Sequence, residues 1–147
     1  MNTTSSQTEL AALVDSWVKG NLAKDVEAII RHYSDDVLAF DAILQLQFKG
    51  RAAYKAHWQS CMEMCGGPTT FKVRELQQEA DGALGVGHFI AYCGGSDAEG
   101  NSQGCWLRVT QVYRRIGGAW KIAHEHFSVP FDPQSGAALF ELQPDAA

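Results

Sequence analysis

The stretch that decides the fold is Gly104-Cys-Trp-Leu-Arg-Val-Thr-Gln-Val-Tyr-Arg-Arg-Ile-Gly-Gly-Ala-Trp-Lys-Ile-Ala-His-Glu-His-Phe-Ser-Val-Pro130. Two runs rich in β-branched and aromatic residues flank Gly117-Gly118, a dipeptide that accepts the positive φ of a tight hairpin turn. Side chains alternate along an extended chain. Trp106, Arg108, Thr110 and Val112 therefore fall on one face of the first run, and Leu107, Val109, Gln111 and Tyr113 on the other. The same period groups Trp120, Ile122, His124, His126 and Ser128 against Lys121, Ala123, Glu125 and Phe127. A face that carries tryptophans together with an Arg and two His reads as a pocket wall, apolar at depth and polar at a few points.

Working outward, Thr8 caps a first helix whose apolar residues Leu10, Leu13, Val14, Trp17 and Val18 keep helical spacing. A second, short helix starts at Lys24-Asp25, and Ser34-Asp35-Asp36 ends it. Residues 37–41 read as a strand with residues 44–48 as its hairpin mate. A third helix spans residues 51–64, its stripe formed by Tyr54, His57 or Trp58, Cys61, Met62 and Cys65; Gly67-Pro68 lies past its end. Strands at 71–79 and 84–93 precede a polar loop at 94–104 and the hairpin. This order predicts an α+β fold with four long antiparallel strands. Apolar residues occur on both faces of those strands, so the outer face is expected to meet a second copy, giving a homodimer. Residues 1–7 read as a disordered tail and residues 132–147 as a C-terminal tail, with Leu139, Phe140 and Leu142 as docking candidates.

A chain of 147 residues suits one domain. A net charge of −5 gives no basic footprint and argues against a nucleic-acid partner. The N-terminal residues show neither a signal core nor a membrane span, which leads to the expectation of a cytoplasmic protein with no membrane partner. Cys61, Cys65, Cys93 and Cys105 would then be reduced thiols. No C-x-x-C pair is present, and although His124 and His126 with His88 have a spacing that can ligate a metal, no metal is assigned.

Three patches resemble the nuclear transport factor 2-like superfamily, in its SnoaL-like and ketosteroid-isomerase-like branch. They are residues 33–41 (Tyr-Ser-Asp-Asp-Val-Leu-Ala-Phe-Asp), residues 50–58 (Gly-Arg-Ala-Ala-Tyr-Lys-Ala-His-Trp) and residues 120–128 (Trp-Lys-Ile-Ala-His-Glu-His-Phe-Ser). The last is also similar to the final strand of the calcium/calmodulin kinase II association domain. The resemblance covers residues 8–131 and implies a cone, in which a curved antiparallel sheet wraps around three N-terminal helices and encloses a pocket. It also implies that Asp41 stands where the isomerases keep their carboxylate base. Trp17 stands where they keep a phenol donor, and Arg108 or Thr110 near their protonated acid. With two of three roles altered, steroid isomerisation is not expected.

Asp41 reads either as a general base moving a proton between carbons or as a strand-end Asp capping a turn. His126 reads as a second acid–base group or a core histidine, and His124 as a ligand hydrogen-bonder or a core histidine. An inward Arg108 must be paired, by an internal carboxylate (Asp41 or Glu125) or by a ligand carboxylate or phosphate. Tyr33, Trp58, Trp106, Thr110, His88 and Trp17 complete the ligand-binding set, the aromatic members serving equally as core. The expected function is a cofactor-free isomerase, cyclase or dehydratase acting on a small, possible anionic ligand such as an organic acid, or on a ketone. The alternative is a non-catalytic ligand-binding or association module.

Overall fold

The computed structural model describes residues 3–65, 67–96 and 99–145. Its elements are α1 (Thr3–Leu22), α2 (Val26–Ile30), β1 (Tyr33–Phe40), β2 (Phe48–Lys49), α3 (Arg51–Met64), β3 (Thr69–Asp81), β4 (Leu84–Ser96), β5 (Ser102–Ile116) and β6 (Ala119–Ser128). One sheet of six strands runs in the order β2-β1-β6-β5-β4-β3. Neighbouring strands are antiparallel except β1 and β6, which pair parallel. The α+β layout with three helices before the long strands is thus as the sequence predicts, with one parallel pair added.

Several boundaries differ for identifiable reasons. Helix α1 begins at Thr3, not Thr8, because Ser6 is buried and the Gln7 amide donates to the Gln78 carbonyl at 3.2 Å. Residues 3–7 are therefore helical, while residues 1 and 2 of the expected tail lie outside the described residues. Strand β1 starts at Tyr33: Asp35 and Asp36 do not break it, since both point to solvent and Asp35 pairs with Arg51 at 2.5 Å. The hairpin mate shrinks to Phe48 and Lys49, opposite Ala39 and Leu38. Residues 41–47 form a loop in which Leu44 takes φ 69°, with Leu44 and Leu46 exposed. Gly94 and Gly104 pair with each other, so β4 and β5 reach further than expected.

One face of the sheet packs on the helices. Leu10, Leu13, Val14 and Trp17 of α1 and Tyr54 of α3 bury against Phe71, Phe89, Ala91, Leu107, Val109, Tyr113 and Phe127. Gly87 makes this possible at one point, because a Cβ there would lie 2.7 Å from the Tyr113 hydroxyl. Gly117 and Gly118 take φ of 59° and 83° and close the β5–β6 hairpin. A bulge follows. Val112 pairs with His124 but Tyr113 pairs with Ile122, so Ala123 has no opposite residue and β6 changes phase there. After Ser128, residues 131–138 fold back through a Phe131–Ala138 bridge. Leu139 is half-buried, but Phe140 and Leu142 are exposed and do not dock; residues 146 and 147 of the expected tail lie outside the described residues.

Candidate active site

The phase change at Ala123 decides what β6 presents inward. Trp120 and Ile122 are buried before it, and Glu125 and Phe127 after it. Glu125 is 0% exposed in the middle of the sheet. An unpartnered carboxylate could not remain there. Its oxygens accept from the Tyr33 hydroxyl at 2.8 and 2.9 Å, the Tyr54 hydroxyl at 2.6 Å and the Gln111 amide at 2.6 Å. The network continues outward. Trp17 Nε1 donates to Tyr33 at 2.9 Å, the Tyr113 hydroxyl donates to Gln111 Oε1 at 2.6 Å, and the Gln78 amide donates to Tyr113 at 3.1 Å. Burial pushes the Glu125 carboxyl up to about 7 against the pull of these donors. Burial and the adjacent Glu125 push the Tyr33 and Tyr54 phenols well above their ordinary value, so they stay protonated donors.

A second group lies beside empty space. Gly50, with φ 91°, turns the chain from β2 straight into α3 and brings His57 back over Phe48, their rings 4.1 Å apart and stacked. His57 Nε2 meets Asp41 Oδ2, just past the end of β1, at 2.5 Å. Both side chains are nearly buried, at 6% and 12% exposure. Burial opposes a charged imidazolium, but the Asp41 hydrogen bond and charge, with Cys61 alongside, more than offset it and hold His57 at about 9. The His57 imidazole is therefore protonated at neutral pH and paired with Asp41. It borders a cavity of about 160 Å³ with Trp58, Met62, Phe71, Leu107 and Phe127 as its apolar surface. Asn21, Cys61, Cys65 and Cys93 also line it.

Of the residues singled out in the sequence, Asp41 and Trp58 reach this cavity. Tyr33 and Trp17 are fully buried, bonded into the Glu125 network. The predicted pocket wall of β5 faces the other way. Arg108 is exposed and donates through Nε to Ser128 Oγ at 3.0 Å, and Thr110 and His88 are exposed too. Trp106 packs edge-on to Tyr92 at 5.5 Å with the Arg74 guanidinium over it. The reason is that Leu107, Val109 and Tyr113 supply more apolar burial than the alternate set, and Gln111 finds Glu125, whereas an inward Arg108 would need a partner. His124 is held on the outer side by the Leu38 carbonyl at 2.6 Å and by Phe40. His126 is exposed, and meets Asp41 only in a shallow cleft along the 41–47 loop. The shared hollow for Trp106, Arg108, His124 and His126 is thus overturned. Sequence reasoning missed His57 and Cys61 as site residues; their i, i+4 spacing on the inward stripe of α3 was the available sign. Among the described residues no group of three or more His, Cys, Asp or Glu is placed to hold a metal ion. No helix among them is long and apolar enough to cross a membrane.

A sheet backed by N-terminal helices, with a cavity between the two layers, defines the nuclear transport factor 2-like class, and solved structures of that class superpose on it. A nuclear transport factor 2-like protein of unknown function from Pseudomonas putida KT2440 is 43% identical, with 96% of this chain and 98% of that one covered and a TM-score of 0.88. A provisionally assigned calcium/calmodulin-dependent protein kinase II association domain from Xanthomonas campestris is 18% identical over 91% and 88% of the two chains, with a TM-score of 0.73. A ketosteroid isomerase-like protein from Erwinia carotovora atroseptica is 15% identical over 82% and 92%, with a TM-score of 0.69. The SnoaL-like domain model matches residues 10–132, and the chain belongs to that family. No curated protein matches it.

Proposed function

We propose that the protein is a small-molecule enzyme of isomerase or lyase type, in which Asp41 and His57 carry out acid–base chemistry on a neutral ketone or β-hydroxy ketone. The observation that carries this reading is the 2.5 Å Asp41–His57 pair on the wall of an otherwise largely apolar cavity. Asp41 takes a proton from the carbon next to the carbonyl, and the His57 imidazolium protonates a leaving hydroxyl, which departs as water. The proton then passes from Asp41 to His57 through their hydrogen bond, and the pair is reset. For an isomerisation, Asp41 returns the proton to a second carbon. No Lys or Arg is among the cavity-lining residues, which favours an uncharged ketone over the organic acid that the sequence left equally open. The reading needs no cofactor, and we place the protein in the cytoplasm, where its four free thiols stay reduced.

The test is hydrogen exchange. Small cyclic ketones and β-hydroxy ketones are incubated with the protein in heavy water and followed by NMR. Exchange or elimination that disappears in Asp41→Asn supports the reading; activity that is unchanged in that variant sinks it.

A second reading, a self-associating module, is favoured by apolar residues on the outer sheet face. Leu84 and Val86 are 51% and 37% exposed there, beside half-buried Ile90, Trp106 and Val112. A homodimer through this face is compatible with catalysis. Val86→Glu yielding a monomer in sedimentation would support it, and an unaltered sedimentation coefficient would count against it.

A further inference from the structure

The thiols around the cavity are not equivalent. Cys61 Sγ lies 3.7 Å from His57 Nε2, one helical turn along α3. It is half-buried and, like Cys65, lines both the cavity and an adjoining outer cleft with Met64, Ser96 and Gln103. Cys93 and Cys105 sit opposite each other across β4 and β5, and burial pushes both thiols upward, which keeps them protonated. Cys65 Sγ is turned to the Gly67 carbonyl at 3.9 Å. Only Cys61 thus joins a neighbouring imidazole to an open approach, the setting in which thiols react.

We propose that Cys61 is a nucleophile that adds reversibly to small α,β-unsaturated carbonyl compounds, with His57 handling the proton. The sulfur–carbon bond forms at the β-carbon while the S–H bond breaks. The thiol proton leaves to water, and the His57 imidazolium beside the sulfur stabilises the thiolate that attacks. His57 Nε2 then gives its proton to the α-carbon, which receives the electron pair of the former C=C bond, and regains one from the water that took the thiol proton. Asp41, His57 and the rest of the protein end as they began, so no oxidant or reductant is needed. A cavity of about 160 Å³ matches the size of voids of about 150 Å³ that hold benzene, which points to a single six-membered ring. The inference deepens the proposed function by naming an electrophile class for the same pocket. It shares the Asp41–His57 pair, yet thiol addition is read by mass and proton chemistry by exchange, so either can fail alone.

The probe is 2-cyclohexen-1-one, with intact-mass and peptide-mass readouts on the full chain. The expected result is one adduct per chain, on Cys61, forming at least about tenfold faster than on glutathione under the same conditions and lost on dilution. Cys61→Ser abolishes the adduct, and His57→Gln slows it by roughly tenfold or more. The comparison with glutathione uses the unaltered protein and does not depend on how either variant folds. Labelling spread over the four cysteines, labelling of Cys65 first, or a Cys61 rate no greater than that of glutathione each overturns the proposal.

Discussion

Glu125 and Asp41 are both carboxylates removed from bulk water, but their surroundings differ. Glu125 is enclosed by Tyr33, Tyr54 and Gln111, each donating to it, with packed aromatic side chains behind them. Asp41 is bonded to His57 and borders a void. A carboxylate saturated by fixed donors has no geometry left for a guest, so the Glu125 network specifies the core. A carboxylate sharing a proton with a histidine beside empty space can both give and take that proton. Burial alone does not separate structural from chemical acids; the number of fixed donors and the neighbouring space do.

The contrast breaks most sharply in stability. Glu125→Ala should cost roughly 3–5 kcal/mol in urea unfolding, because it strands several buried donors at once. Asp41→Asn should cost less, roughly 1–3 kcal/mol, because it leaves the nearly buried His57 without its partner, and it should also lower ketone exchange by roughly 10²- to 10⁴-fold. Equal unfolding costs for the two variants would erase the distinction.

The pH dependence sharpens it further. The folded-state pKa of Glu125 is raised from 4.5 to about 7, so the folded protein holds that proton more tightly than the unfolded chain. This contribution is complete below pH 4.5 and is lost as pH rises to 7, a loss of roughly 3 kcal/mol that Glu125→Gln should flatten. His57 is raised from 6.5 to about 9, so its contribution is complete below 6.5 and is lost as pH climbs through 9. His57→Gln should flatten only that upper window in chemical-denaturation curves. The smallest expected effect is at Arg108. Arg108→Ala should change stability by less than about 0.5 kcal/mol and leave ligand binding in the cavity unaltered, since its guanidinium lies on the outer face.

The elements of this fold were legible because each rests on local chemistry. The Gly117-Gly118 turn, the helical spacing of Leu10 to Trp17 and the stripe of α3 require no knowledge of distant contacts. Asp41 was legible from its place at the end of β1. The face carrying the site was not. Strict alternation through residues 119–128 joins Trp120 and Ile122 to His124 and His126, but the bulge at Ala123 joins them to Glu125 and Phe127. The Asp41–His57 contact was hidden for a related reason. It spans a strand end, a loop and two turns of helix, and no periodic pattern registers a meeting of that kind.

Ala123 itself is a small side chain with nothing to donate, accept or ionise, and yet it sets the parity of half a strand. Its loss would not trim the protein locally: it would exchange inside for outside along one side of the hairpin, moving Glu125 away from its tyrosines or Ile122 away from Tyr113. Most replacements at this position should be tolerated, whereas a one-codon deletion should be as damaging as removing a central piece of the core.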